Sequence, residues 1–347
     1  MIAMSVAFIV LGLVVTIARG GFNYGVEFQA GLSLQVHILP AKVTVTPAKV
    51  RDALKSNING YQIQSLGNAA DQIYEIKVRQ PRGGAPTDFS QTMTDKVMTD
   101  LKTAFGAESV TQQSSAYVGP RFSSDLTRQI LLMVLLTVGV ILVYLSFRFR
   151  IAYATGAVVA TLHDTLMMVV FIGAFQMEVS TAIIAAILTI IGYSLNDTIV
   201  VFDRIRENEK MMRESQFPSI IDTSISMSLS RTIVTSFTTF LAALAIFVFT
   251  TGSIKDFALA LMVGIVWGTY SSIFIASPVL LAMVNGQRGR RKRKDARLYG
   301  RQSMVISNTP KDAAGAEDKG AQKGNQSAPD KDSVIRELAQ RRARKKK

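Results

Sequence analysis

Asn196 and Asp197 interrupt an apolar run of membrane length, residues 185–204, in which their neighbours are mostly isoleucine, leucine, valine and alanine. A carboxylate in hydrocarbon is costly and, where it occurs, usually marks an ion or proton path. Asp203, at the edge of the run, reads as a helix-end charge that reaches water. Asp197 lies six residues further in, roughly 9 Å along a helix axis, too deep for so short a side chain to snorkel. The next apolar segment offers it a partner in Ser230-Arg231-Thr232, followed by Thr235-Ser236. Consecutive segments that leave and re-enter on one side place Asp197 and Arg231 at similar depth, and the protonation of the acid then depends on how the helices pack. An arginine at that place can also be merely interfacial. Asn196 is the best polar neighbour of the acid, whereas Thr189, Ser194, Thr198, Thr232, Thr235, Ser236, Thr238 and Thr239 read chiefly as helix-contact residues. A second ionisable pair, His163-Asp164, sits mid-way along another apolar segment. A structural hydrogen-bonded pair and a relay element fit it equally.

Six apolar stretches of about 18 residues or more make the 347-residue chain a polytopic membrane protein. They are placed at residues 1–18, 129–147, 151–175, 179–202, 230–251 and 257–284. The formal charge of +14 is concentrated: residues 286–347 hold 19 Lys/Arg against 7 Asp/Glu. A nearly neutral body therefore carries a basic tail. Such a tail is first a cytoplasmic topology signal, then a candidate for weak contact with anionic lipid or a ribosomal surface, and specific nucleic-acid binding is not expected. With no cysteine and only His37 and His163, thiol chemistry and a His-rich metal site are excluded. No phosphate-binding glycine loop and no nucleophile with a base is present, so an enzyme is not expected, nor any cofactor. Residues 1–18 lack a basic leader, and Thr16-Ile17-Ala18-Arg19 is a poor cleavage site. The segment reads as a retained helix, with the completeness of the N-terminus left open.

Short connections set the orientation. Arg148 and Arg150, then Arg204, Arg206, Lys210 and Arg213, then the run from Arg288 to Lys294 place those sides and both termini in the cytoplasm. The long segment 19–128 is then outside. It reads as a small α+β domain: a strand at 32–39, a helix opened by Thr46-Pro47 and stopped by Gly60, strands at 61–66 and 73–78, a helix from a capping box at Asp88-Phe89-Ser90-Gln91 to Gly106, and a strand at 109–117. The order β-α-β-β-α-β is that of a ferredoxin-like unit. Residues 81–86 form a loop, 129–285 a five-helix bundle, and 286–347 a disordered basic tail, ending in one short helical stretch at 333–347. No internal repeat is visible, so a symmetry partner would be another polypeptide.

The run Gly192-Tyr193-Ser194-Leu195-Asn196-Asp197-Thr198-Ile199-Val200-Val201-Phe202-Asp203-Arg204-Ile205-Arg206-Glu207-Asn208 resembles the signature of the SecD/SecF family, on the side of SecF, its smaller member. Ser230-Arg231-Thr232 with Thr235-Ser236, Val118-Gly119-Pro120 and His163-Asp164 resemble further family motifs, and the similarity covers about Gly21 to Val284. The family's turn after the first helix, Gly-Ile-Asp-Phe-Thr-Gly-Gly, is here Gly25-Val26-Glu27-Phe28-Gln29-Ala30-Gly31, with a longer acid and one glycine fewer. Gly25, Glu27, Phe28 and Gly31 are the turn residues carried over. The resemblance implies six helices of the resistance-nodulation-division type in a bacterial inner membrane and partnership with SecD, the SecYEG channel and often YajC. It also implies use of the proton gradient to draw preproteins outward, with Asp197 and Arg231 on the proton path. The competing reading is a proton-driven exporter of small molecules or lipids with the same architecture.

Overall fold

The computed structural model of the protein describes residues 2–39, 45–55, 58, 60–67, 70–81 and 88–287. The basic tail and residues 82–86 of the loop lie outside the described residues.

The chain opens with an apolar helix, α1 (Ile2–Ala18), then β1 (Asn23–Tyr24), the single turn α2 (Val26–Gln29) and β2 (Gly31–Ile38). There follow α3 (Pro47–Leu54), β3 (Tyr61–Leu66), β4 (Ile73–Arg79), α4 (Phe89–Phe105) and β5 (Val110–Val118). Local chemistry explains these boundaries. Thr46 accepts a hydrogen bond from the Lys49 N–H with proline at the first position of α3, as an N-cap should. Gly106, at φ 101°, ends α4 in a conformation that suits glycine. Asp88 stands at the N-cap of α4 without capping a backbone N–H; its carboxylate accepts instead from the Thr92 hydroxyl at 3.3 Å, so the expected capping box is not formed.

Four of the strands make one antiparallel sheet in the order β3-β4-β2-β5. Along β2, Leu32, Leu34, Val36 and Ile38 are all fully buried, and with Ile76 and Val78 they pack on Val50 and Leu54 of α3 and Val97 and Leu101 of α4. The alternate residues are polar: Ser33 lies opposite Lys77, and Gln62 and Gln64 lie opposite Lys77 and Glu75. One face of the sheet is therefore core and the other polar, which is the pattern expected of a half-covered antiparallel sheet.

The remaining described residues, up to 287, are mostly helical: α5 (Pro120–Arg148), α6 (Ile151–Ala174), α7 (Thr181–Met211), α8 (Phe217–Phe249) and α9 (Ser253–Ser271), with the two-residue β6 (Glu178–Val179) before α7 paired in parallel with β1. A π-helical turn at Ser272–Ala276 joins α9 to a helical continuation, so that this last segment runs over Ser253–Gln287. Among the described residues five helices, α5 to α9 with that continuation, are long and apolar enough to cross a membrane, and α1 is a shorter apolar helix. In their most apolar stretches α6, α7 and α9 are about half buried, against 6% for α5 and 11% for α8. The first three thus form the centre of the bundle.

Close crossings rest on small residues, as is usual between membrane helices. A Cβ on Gly12 of α1 would collide with the Val170 side chain of α6, and one on Gly173 would meet Thr16 at 2.5 Å. On α9, Gly264 lies against Ile190 of α7 and Gly268 against Ser194. Those glycines are four residues apart, and Ser272 follows four residues later on the same face.

Candidate functional site

Asp197 is buried where α7, α8 and α9 meet. Its Oδ1 accepts from the Thr232 hydroxyl of α8 at 2.6 Å, and its Oδ2 from the Ser272 hydroxyl at the start of the π-helical turn at 2.5 Å. Two donors from two other helices thus hold one carboxylate, the strong charge-assisted kind of hydrogen bond. The Thr269 carbonyl oxygen, 3.0 Å from the Ser272 hydroxyl, is a second acceptor for the same hydrogen. One turn outward toward the sheet domain, Ser236 accepts from Tyr193 at 3.2 Å and from Thr269 at 2.7 Å.

A second buried carboxylate lies alongside. Asp164 of α6 is fully buried; its Oδ1 is 2.9 Å from His163 Nδ1 and its Oδ2 accepts from the Ser194 hydroxyl, while Ser271 of α9 donates to the Ala160 carbonyl oxygen one turn away at 3.4 Å. Ser194 and Asp197 share α7 three residues apart, and Ser271 and Ser272 are adjacent. His163 and Asp164 are therefore not an isolated pair. They belong to one polar seam with Asp197, and the seam contains serines that the sequence reading did not single out. Their signal was the spacing Gly264, Gly268, Ser272, which puts two bare positions and a hydroxyl on one helix face.

Arg231 and Asn196 are placed differently. Both are exposed on the described structure, and among the described residues no ion pair joins Arg231 to Asp197. Thr232, the next residue along α8, makes the contact with the acid. Asp203 is the end charge it was read as, pairing with Arg148 at 2.7 Å.

The turn after α1 fastens the sheet domain to the bundle. Gly25 sits so close to β6 that a Cβ would meet Glu178 Oε1 at 2.7 Å, and on Gly31 a Cβ would collide with the Val78 carbonyl oxygen. Glu27 Oε2 accepts from the Thr181 N–H at 2.8 Å at the start of α7, a helix end that favours negative charge. Phe28 lines an apolar groove of about 440 Å³ with residues of α5, α6 and α7. Next to these, the polar sheet face meets the helix ends. Lys77 Nζ lies 2.9 Å from Glu178 Oε2, Gln64 donates to Asp256 at 3.3 Å, and the Gly67 N–H donates to Thr251 at 2.9 Å.

These features define a class: a polytopic helical membrane protein with hydroxyl-held carboxylates buried in its bundle and a small sheet domain fixed to one end. Residues 96–286 match the family model described as protein export membrane protein SecD/SecF, C-terminal, and the chain belongs to that SecD/SecF family. It is 37% identical to the protein translocase subunit SecF of Borreliella burgdorferi, over 80% of this chain and 92% of that one. It is 40% identical to the protein translocase subunit SecDF of Brucella abortus, over 79% of this chain but 34% of that one. Among solved structures, the crystal structure of SecDF from Thermus thermophilus matches with a TM-score of 0.67 and 33% identity over 82% of this chain. The match spans 37% of that SecDF chain.

Proposed function

We propose that the chain is the smaller subunit of a SecDF-type accessory complex. In this reading it uses the proton-motive force to promote late steps of preprotein export through the SecYEG channel, across a bacterial cytoplasmic membrane. The observation that carries the reading is Asp197, buried in the bundle and held by Thr232 and Ser272 from two neighbouring helices. As a carboxylate it accepts both bonds. Once protonated it becomes a donor itself, and one hydroxyl must turn its own hydrogen elsewhere. Ser272 can turn it to the Thr269 carbonyl oxygen and accept from the neutral acid, so proton binding replaces a charge-assisted contact between α7 and α9 by a weaker neutral one, and proton loss restores it. Moving one charge through 100 mV releases about 2.3 kcal/mol, enough to bias such a two-state packing.

The finer architecture follows the same reading. Counting α1, the chain crosses the membrane six times, with both termini in the cytoplasm on the side of Arg148, Arg150 and Arg204. Residues 19–128 form the external domain and 129–285 the five-helix bundle. The strand order and the two crossing helices support a ferredoxin-like unit. SecD is the partner that covers the exposed face of α7 and α8. That face carries Thr189, Gly192 and Asn196 beside Arg231, Thr235 and Thr238, all exposed, whereas Leu131, Leu135 and Leu136 of α5 present large apolar side chains suited to lipid. Intramembrane polar groups face protein or water, and Arg231 joins the proton path from this interface.

Asp197→Asn tests the core of the reading, since the amide keeps shape and hydrogen bonds but cannot ionise. Vesicles carrying the variant are expected to assemble the complex and to lose the stimulation of export by the proton gradient. Export equal to wild type at full proton-motive force would make the chain a passive scaffold.

A further inference from the structure

The seam holds more ionisable chemistry than one carrier needs. Asp164 and Asp197 lie on different central helices, yet Ser194 on α7 donates to Asp164 while sitting three residues, about 4.5 Å, outward of Asp197. On α9 the adjacent Ser271 and Ser272 both face the central helices, Ser271 donating to the Ala160 carbonyl oxygen of α6 at 3.4 Å, one turn from Asp164, and Ser272 donating to Asp197 at 2.5 Å. The two serines stand where α9 passes into the π-helical turn at Ser272–Ala276, a rare irregularity that is frequent at functional sites. Three buried side-chain polar atoms on the membrane helices have no partner among the described residues, and all three border this seam: His163 Nε2, Thr198 Oγ1 and Ser277 Oγ. Buried polar groups are nearly always satisfied. His163 is 8% exposed and lies at the outward station beside Asp164, while Thr198 and Ser277 lie past Asp197 and Ser272 toward the opposite end.

We propose that Asp164 is a second proton carrier, upstream of Asp197, and that Ser194 and Ser272 are positioning residues, each holding one of the two acids on a path lined by hydroxyls. This rests on the reading of Asp197 as the proton-coupled group. A proton arriving from outside passes His163 and neutralises the Asp164 carboxylate. It moves on when each hydroxyl on the path takes up one proton and gives up its own, leaving Asp164 charged and Asp197 neutral. Charge and proton count balance without any further reactant. The remaining titratable groups on the packed helices do not enter the path: Tyr193 donates to Ser236, Tyr270 accepts from Ser5 at 3.3 Å, and Arg231 is exposed on α8.

The test uses the full chain copurified with its partner subunit and reconstituted in vesicles, with infrared absorption of protonated carboxyl groups followed against pH and gradient-driven export measured in parallel. Groups coupled by more than about one pK unit titrate as a pair. Asp164→Asn is therefore expected to remove one carboxyl band, to move the midpoint of the Asp197 band by about one pH unit or more, and to abolish gradient-driven export. An unmoved Asp197 midpoint with export intact would reduce His163 and Asp164 to a structural pair and overturn the proposal. Should Asp164→Asn fail to assemble, Ser194→Ala decides, because it removes the donor to Asp164 and keeps both acids: a changed Asp164 band together with a shifted Asp197 midpoint supports the path, and two unshifted bands overturn it. Asp197→Asn run alongside separates the two levels. If it retains gradient-driven export the parent reading fails, whereas its loss with Asp164→Asn fully active defeats only the second carrier.

Discussion

Ala30 adopts φ 59° and ψ 146°, a region open almost only to glycine and costing about 1–3 kcal/mol for other residues. It is buried, so its methyl recovers part of that cost. Ala30→Gly is expected to leave the melting temperature unchanged or higher, and Ala30→Val to lower it, in thermal unfolding of the purified protein in detergent. A marked loss on Ala30→Gly would mean that the methyl contact outweighs the strain. At the same scale, Ser272→Ala should weaken gradient-stimulated export while Thr232→Ser, which keeps the hydroxyl, leaves it nearly normal. Equal loss from both would show that packing at the acid matters and its donors do not. Asp197 was legible because a carboxylate in an apolar run has few explanations. Its true contacts were not, because hydroxyls are common in membrane helices and adjacent residues differ by about 100° around the axis. Depth pointed to Arg231, but rotation brought in Thr232.

Helices were legible as apolar runs, and their ends less so. The start of α5 at Pro120 rather than near residue 129, and the extension of α7 to Met211, lie in polar sequence where hydropathy has no signal and only caps and tertiary contacts decide. The π-helical turn had no sequence mark at all. What sets the approach of α7 and α9 is the pair Gly264 and Gly268, whose missing side chains leave room for Ile190 and Ser194. Gly264→Val therefore overpacks the crossing, with an expected cost of about 1–3 kcal/mol, and by moving α9 it should also disturb Ser272. The same change at Gly139 of α5, where a Cβ meets nothing within 4 Å, should cost little. Thermal melting of the two variants checks the contrast, and equal losses would refute it.

Across the molecule, the sheet domain is anchored by its polar face, so a rigid connection between domain and bundle depends on Lys77. Burial pulls the Lys77 ammonium down, but Glu178, then Glu75 and Glu27, more than offset this, and its pKa stands above the ordinary lysine value. A raised lysine contributes fully below its unfolded value and loses that contribution only as pH rises through the folded one. The Lys77 contribution to docking should therefore hold across the neutral range and fail only in strong alkali. Lys77→Met leaves the half-buried Glu178 without its cation and should cost about 1–3 kcal/mol, seen as faster hydrogen exchange in β3 and β4; unchanged exchange would show that the turn holding Gly25 and Glu27 suffices. The alternation of β2 and β4 made the two faces of the sheet readable, but not what the polar face would meet, since short loops such as residues 176–180 carry no pattern of their own.

The exposure of Arg231 and Asn196 at the depth of the buried acid also bears on how the protein is made. A newly inserted copy without a partner would present an arginine to lipid, at a cost of about 2.5–3.5 kcal/mol on insertion scales. Such a chain is a natural substrate for membrane quality control, and association removes the lesion. Its cellular level should then follow that of the subunit that covers this face, so that synthesis in excess ends in degradation and the ratio of the two chains is set by survival rather than by expression.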